Sequence, residues 1–393
     1  MPTAARVAEV RHGSEGGSLE SPTVALVSEP RLLPRGALQA LIDALGAGGY
    51  RCIGPQVRDG AIVYREISDS GQLPVGWGAR QGPGTYRLER RGDRRCFAWA
   101  NGPQALKPLL FRPHETLFRW TRDAEGRIRF APEPSRRQRW ALIGARACDL
   151  AALALHDRHF LHKERDPGYA VRRADLLLVA IDCSHPAQTC FCVSTGDGPS
   201  VTGGTDLALT ELDAGFLVRA YTETGAAVRD TLPLVEPTAE QLVEAETQGK
   251  AAAMAQTRGL PGRDLRDALF ANLEHPRWSE VAERCLSCGN CVAVCPTCFC
   301  HTEREAASLD GSSGTHERQW DTCYSAEHSY LHGRLLRPDT RTRYRQWLTH
   351  KLGGWHDQYG RSGCVGCGRC IAWCPVGIDI TEEAAAICAS PGP

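Results

Sequence analysis

Cys285-Leu286-Ser287-Cys288-Gly289-Asn290-Cys291-Val292-Ala293-Val294-Cys295-Pro296 is answered later in the chain by Cys364-Val365-Gly366-Cys367-Gly368-Arg369-Cys370-Ile371-Ala372-Trp373-Cys374-Pro375. Both stretches read C-x2-C-x2-C-x3-C-P, the ligand spacing of [4Fe–4S] clusters. A cubane cluster needs one outside thiolate per iron. Three cysteines at this spacing can wrap three corners from one tight loop. The fourth, held just before proline, ligates the other cluster where two are present. The expected sets are therefore Cys285, Cys288 and Cys291 with Cys374, and Cys364, Cys367 and Cys370 with Cys295. Gly289 and Gly368, at matching places, suit a loop that approaches the cube closely or takes positive φ. The competing reading is structural zinc, but zinc motifs usually place two Cys/His pairs rather than four cysteines before a proline.

The chain has 393 residues, a length that predicts two or three domains. Hydrophobic residues make up 42%, enough for ordinary cores. Lys+Arg and Asp+Glu both number 46, and without a basic excess a nucleic-acid partner is not expected. Eighteen cysteines fit a protein that holds metal in a reducing compartment, and the expected location is cytoplasmic. The segment Met1 to Ser21 shows neither the apolar core of a signal peptide nor an early twin arginine. No apolar run reaches membrane-spanning length, so no membrane partner is expected.

Working outward, residues 1–20 read as a flexible tail and 21–135 as an N-terminal α/β domain. Thr23–Val27, Ala61–Ile67, Thr85–Leu88 and Cys96–Ala100 are strand candidates there. Ala37, Leu38, Leu41, Ile42 and Leu45 recur at helical spacing. Cys52 and Cys96 read as buried free thiols. Residues 136–236 read as a central α/β domain. Its strand Trp140–Gly144, helix Asp149–Phe160 and apolar strand Asp175–Ile181 form a β-α-β-like unit. The pattern predicts a hairpin over 206–221. Residues 237–393 read as a helical, ferredoxin-like domain with two [4Fe–4S] clusters. Thr238 and Gln241 suggest a capping box at its start. The insert between Cys295 and Cys364 reads as helical. Its arginines, Arg334 to Arg345, read as a solvated helix face, with a docking surface for an acidic partner as the alternative.

Cys148 follows the first strand of the central unit; Cys183, Cys190 and Cys192 follow the second. Loops after strand C-termini are where α/β units hold ligands. These four are candidates for a third [4Fe–4S] site, the alternative being inert core thiols. The glycines from Gly196 to Gly204 match no phosphate-binding pattern. Thr297-Cys298-Phe299-Cys300 repeats Thr189-Cys190-Phe191-Cys192. With Cys323 it adds three thiols whose role is open.

Several blocks carry a family resemblance: Ala145 to Leu150, Asp182 to Pro186, Thr189 to Cys192, Thr205 to Thr210, Cys295 to Cys300, Trp320 to Cys323 and Tyr359 to Arg361. Through them the chain resembles the iron–sulfur β subunit of cytosolic sulfhydrogenase-type [NiFe] hydrogenases, itself similar to the electron-transfer subunit of anaerobic sulfite reductase. The resemblance implies an electron-transfer subunit of an NAD(P)-linked hydrogenase, with no catalytic residues of its own. It implies FAD and NAD(P) on a partner flavin subunit, with hydrogenase small and large subunits as further partners. It also strengthens the assignment of Cys148 and Cys190 to the third cluster. The alternatives are the corresponding subunit of anaerobic sulfite reductase or of another NAD(P)-linked oxidoreductase. Further off stand a self-contained enzyme using an open iron at the third site, and a scaffold with structural metal.

Overall fold

The computed structural model describes residues 29–104, 106–133, 137–262 and 264–389. The expected tail and the strand Thr23–Val27 lie outside these residues. Thirteen strands matter here: β1 Arg31–Pro34, β2 Arg51–Arg58, β3 Ala61–Ile67, β4 Trp77–Gly82, β5 Thr85–Arg90, β6 His114–Arg122, β7 Ile128–Pro132, β8 Trp140–Ala145, β9 Leu176–Ile181, β10 Leu207–Glu211, β11 Gly215–Ala220, β12 His301–Ala307 and β13 Ser313–Trp320.

Seven of them form one sheet in the order β1-β11-β10-β9-β8-β2-β3. The pairs β10/β9, β9/β8 and β8/β2 are parallel, and antiparallel strands close both edges. Parallel strands need crossovers that cover the sheet on both faces, so their sequences run apolar throughout. β9, Leu-Leu-Leu-Val-Ala-Ile, is buried at every position. Its alternate residues feed two cores. Leu177, Val179 and Ile181 pack with Leu38, Leu41 and Leu45 of the helix Leu38–Ala47. Leu178 and Ala180 pack on the opposite face with Leu150 and Leu153 of the helix Ala147–Asp157. Residues 21–135 and 136–236 therefore contribute strands to the same sheet.

The segment Cys96–Ala100, expected as a strand, joins no ladder. The buried Glu211 carboxylate satisfies its amides instead, accepting from Cys96 N (2.7 Å) and Phe97 N (2.8 Å). Cys52 and Cys96 are buried, as the sequence suggested.

The C-terminal third is built on helices Leu265–Ala271, Arg277–Arg284, Thr340–Thr349 and Ile380–Ala389, packed round Trp278, Tyr344, Leu348 and Ile387. Buried Glu383 is held by Arg277 (2.6 Å) and Arg284 (2.7 Å), so its charge is paired rather than stranded. The capping box at Thr238 and Gln241 is present. The wholly helical reading of the insert needs correction. β12 and β13 form a hairpin that continues through β6 and β7 into a four-stranded sheet. Glu, Arg and Ala are good helix formers, but this segment pairs with the edge of β6, and tertiary pairing overrides propensity. Apart from a 3-10 turn at Glu327–Ser329, the described insert turns helical from Thr340 onward. There Arg341 and Arg345 pair with Glu274, and Arg343 donates to the carbonyls of Tyr324, Arg337 and Pro338. Among the described residues no helix is long and apolar enough to cross a membrane.

Candidate metal centre

The helix Arg277–Arg284 stops at Cys285, whose amide still bonds Val281 O (3.0 Å). The chain then turns through Ser287 (φ +51°) and Gly289 (φ +74°) before one helical turn over Asn290–Ala293. The second run repeats the device. Gly366 (φ +63°) and Gly368 (φ +72°) precede the turn Arg369–Ala372. Ser287 N and Gly366 N donate to the first sulfur of each run, at 3.4 and 3.5 Å. Gly368 takes the positive φ expected of it, and a Cβ there would also lie 2.3 Å from Thr189 O, so the close approach is to the neighbouring backbone.

The two runs fold against each other. One cavity is lined by Cys285, Cys288 and Cys291 together with Cys374. A second is lined by Cys364, Cys367 and Cys370 together with Cys295. Cys370 and Trp347 border both cavities. Burial pushes the Cys364 thiol up to about 12 and raises Cys291 and Cys370 as well. Buried thiols of this kind become anionic only when something cationic, such as iron, stabilises the thiolate. Tyr344 and Trp347 line the first cavity, and their buried Oη and Nε1 donors have no hydrogen-bond partner among the described residues. Sulfide ions of a cluster would satisfy donors so placed. The residues thus fit a cubane in each cavity. Among the described residues no group of three or more His, Cys, Asp or Glu side chains closes on a single metal ion.

The central cysteines come together at the C-terminal ends of β8 and β9. Cys148 opens the helix after β8, and Cys183 follows β9 with its amide on Pro199 O (3.2 Å). Cys183, Cys190 and Cys192 lie near enough for their charges to act on one another, as do Cys148 and Cys192. Asn101 Nδ2 donates to Cys148 Sγ (3.3 Å), and Gln256 Nε2 to Cys192 Sγ (3.3 Å). The second run is pressed onto this group. Phe191 N bonds Gly366 O (2.8 Å), and a Cβ at Gly366 would lie 2.5 Å from Cys192 N. Cys148, Cys190 and Cys192 all feel Cys367.

Sequence reasoning missed the buried cations around these thiols. Arg369, 1% exposed, pairs with Asp149 (Nη2–Oδ1, 2.8 Å), donates to Gly102 O (3.0 Å) and reaches the Cys367 thiol. Lys351 Nζ lies 2.8 Å from Thr297 Oγ1 and acts on Cys295, Cys298 and Cys364. Lys107 crosses from the N-terminal third to the carbonyls of Val292 (3.2 Å) and Ala293 (2.9 Å), its ammonium over the Trp320 ring. No motif marks the two lysines; only Arg369, inside the second run, carried a local signal. Arg369→Met is expected to strand Asp149 unpaired in the interior. Breaking such a pair costs about 3–5 kcal/mol, read as a lower midpoint of anaerobic thermal unfolding than wild type.

Thiols grouped in this way are the donor sets that iron–sulfur clusters take. A model of the 4Fe-4S dicluster domain matches residues 284–378. The chain is also 29% identical over 300 residues to Sulfhydrogenase 2 subunit beta of Pyrococcus furiosus, covering 75% of this chain and 86% of that protein. No solved structure matches it. The similarity to a sulfhydrogenase β subunit, expected from the sequence blocks, stands: this is an electron-transfer iron–sulfur subunit.

Proposed function

We infer that the chain relays single electrons between a partner that binds flavin and NAD(P) and the small and large subunits of a soluble [NiFe] hydrogenase, in the cytoplasm. The observation that carries this reading is continuity. Cys370 borders both cavities of the C-terminal runs, and Cys367 stands beside Cys148, Cys190 and Cys192. In this reading Cys285, Cys288, Cys291 and Cys374 hold one [4Fe–4S] cluster. Cys364, Cys367, Cys370 and Cys295 hold a second, and Cys148, Cys183, Cys190 and Cys192 a third. A bound cluster supplies a one-electron couple, at potentials of roughly −700 to +450 mV set by its surroundings.

The protein's own residues do the rest. Lys351 and Arg369 place positive charge beside the second set and favour the reduced state there. Asn101 and Gln256 donate to sulfur in the third set. Tyr344 and Trp347 form the buried inner wall of the first set, while Cys288 stays exposed. Anaerobic isolation of the tagged chain from its own host tests the reading. It is expected to bring a flavoprotein and a nickel protein in fixed ratio, with cluster absorbance bleached by NADH or NADPH. A fully loaded monomer that is stable in air and inert to both nucleotides would contradict it.

A further inference from the structure

Between the helices Ala147–Asp157 and Ala239–Met254 lies a cavity of about 840 Å³ that none of the three thiol sets occupies. Its floor is the large sheet: Thr210 of β10, Arg219 of β11 and Asp182, which directly follows β9. Crevices outside the carboxyl ends of parallel strands are where open α/β sheets bind ligands. Asp182 is already committed. Its carboxylate accepts from Val201 N (2.7 Å), Thr210 Oγ1 and Arg219 Nη2, which ties the loop after β9 to the floor. Arg219 is only partly used, because its buried Nε has no hydrogen-bond partner among the described residues. A buried donor left open suits an acceptor from outside the chain.

The wall towards the third thiol set is thin. Ala147 and Gly198 border the cavity, and a Cβ at Gly198 would lie 3.1 Å from Cys192 Sγ and 3.2 Å from Ala147 Cβ. At Gly198 the bare backbone is therefore packed against that sulfur. The side walls are low: Ala151 and Ala154 on one helix face Ala245 and Gly249 on the other. Ala154, Thr202 and Gly204 are exposed at the rim. We propose that this cavity holds the isoalloxazine ring of a free flavin, distinct from the flavin of the partner, which exchanges electrons with the cluster of the third set. This rests on the relay reading above. The volume falls within the roughly 300–1,000 Å³ of small-molecule sites. Walls of small side chains suit a flat ring, and the carbonyl oxygens of its pyrimidine edge are acceptors for Arg219 Nε. A nicotinamide takes its electrons as a hydride, whereas a flavin also takes them singly, as a cluster delivers them.

Two electrons reach the ring one at a time, and each leaves the reduced cluster oxidised by one step. One proton from solvent adds at the flavin N5. The oxidised ring thereby becomes its anionic hydroquinone, the N5–H bond being the only bond formed to a new atom.

The test uses the full, cluster-loaded chain under anaerobic conditions, with riboflavin and flavin mononucleotide as probes and binding read from flavin fluorescence. One ring per chain should bind, and the two probes should agree within about tenfold, since the ring is the group recognised. Ala154→Trp, at an exposed position, should fill the slot and weaken both probes by more than about tenfold, with iron content and unfolding midpoint unchanged. Arg219→Lys keeps a cation for Asp182 but removes the Nε donor, and should weaken both about fivefold. No binding by wild type, or equal binding by wild type and both variants, would overturn the site. Binding of flavin mononucleotide without riboflavin would overturn the ring as the group recognised. After reduction with dithionite and removal of excess reductant, added flavin mononucleotide should bleach as the clusters reoxidise, faster in wild type than in Ala154→Trp. Bound flavin that stays oxidised beside reduced clusters would overturn the exchange while the relay survives. Clusters that dithionite cannot reduce would remove the relay itself, a result that the binding titration does not depend on.

Discussion

Cys295→Ala is expected to abolish the cluster of the second run and spare that of the first. The reason is spatial: Cys295 lines the cavity of Cys364, Cys367 and Cys370, not the one formed by its own run. Each single loss removes about four irons whichever way the ligands pair, so the decisive comparison uses double variants. Cys295→Ala with Cys364→Ala should lose no more iron than either alone, because both serve one cluster. Cys295→Ala with Cys285→Ala should lose about eight, because they serve different ones. Ligation confined to each run predicts the reverse pattern. Iron and sulfide assays on the four proteins decide between them.

Lys351→Met is expected to lower the midpoint potential of the same cluster. Burial works against the lysine's charge, but the neighbouring sulfurs of Cys295 and Cys298 hold it protonated, and its pKa is raised. An added electron on the cluster is stabilised by that cation. At an effective dielectric of about 20, a unit charge some 7 Å away is worth roughly 2 kcal/mol. For one electron this corresponds to about 85 mV. The variant should keep its iron, since Lys351 supplies no ligand, and the signal of one cluster should move to more negative potential in an EPR-monitored titration. An unchanged or raised midpoint with intact iron would show that Lys351 does not face that cluster.

The parts of this molecule that were legible in the sequence are those written locally. The C-x2-C-x2-C-x3-C-P spacing is complete within each run, and the glycines at 289 and 368 take the positive φ that their loops demand. β8, β9 and the β10/β11 hairpin announced themselves as short apolar runs between turns. What was hidden depends on distant partners. Charged residues 301–320 read as helix because nothing local reveals that β6 offers an edge to pair with. Cys96–Ala100 read as strand because its apolar character is real, but its amides go to Glu211, over a hundred residues away. Lys107 and Lys351 look like ordinary surface lysines until the fold buries them beside sulfur. The shared sheet is likewise invisible to a reading that divides the chain by composition.

The central claim is a path through three sets of thiols, and iron counting tests it most directly. Iron and sulfide would be measured with EPR on anaerobically purified protein, wild type beside Cys190→Ala. The account predicts about twelve irons per chain, falling by about four in the variant with loss of one set of signals. About eight irons in both proteins would contradict it, leaving Cys148, Cys183, Cys190 and Cys192 as structural thiols and the path confined to the two C-terminal runs.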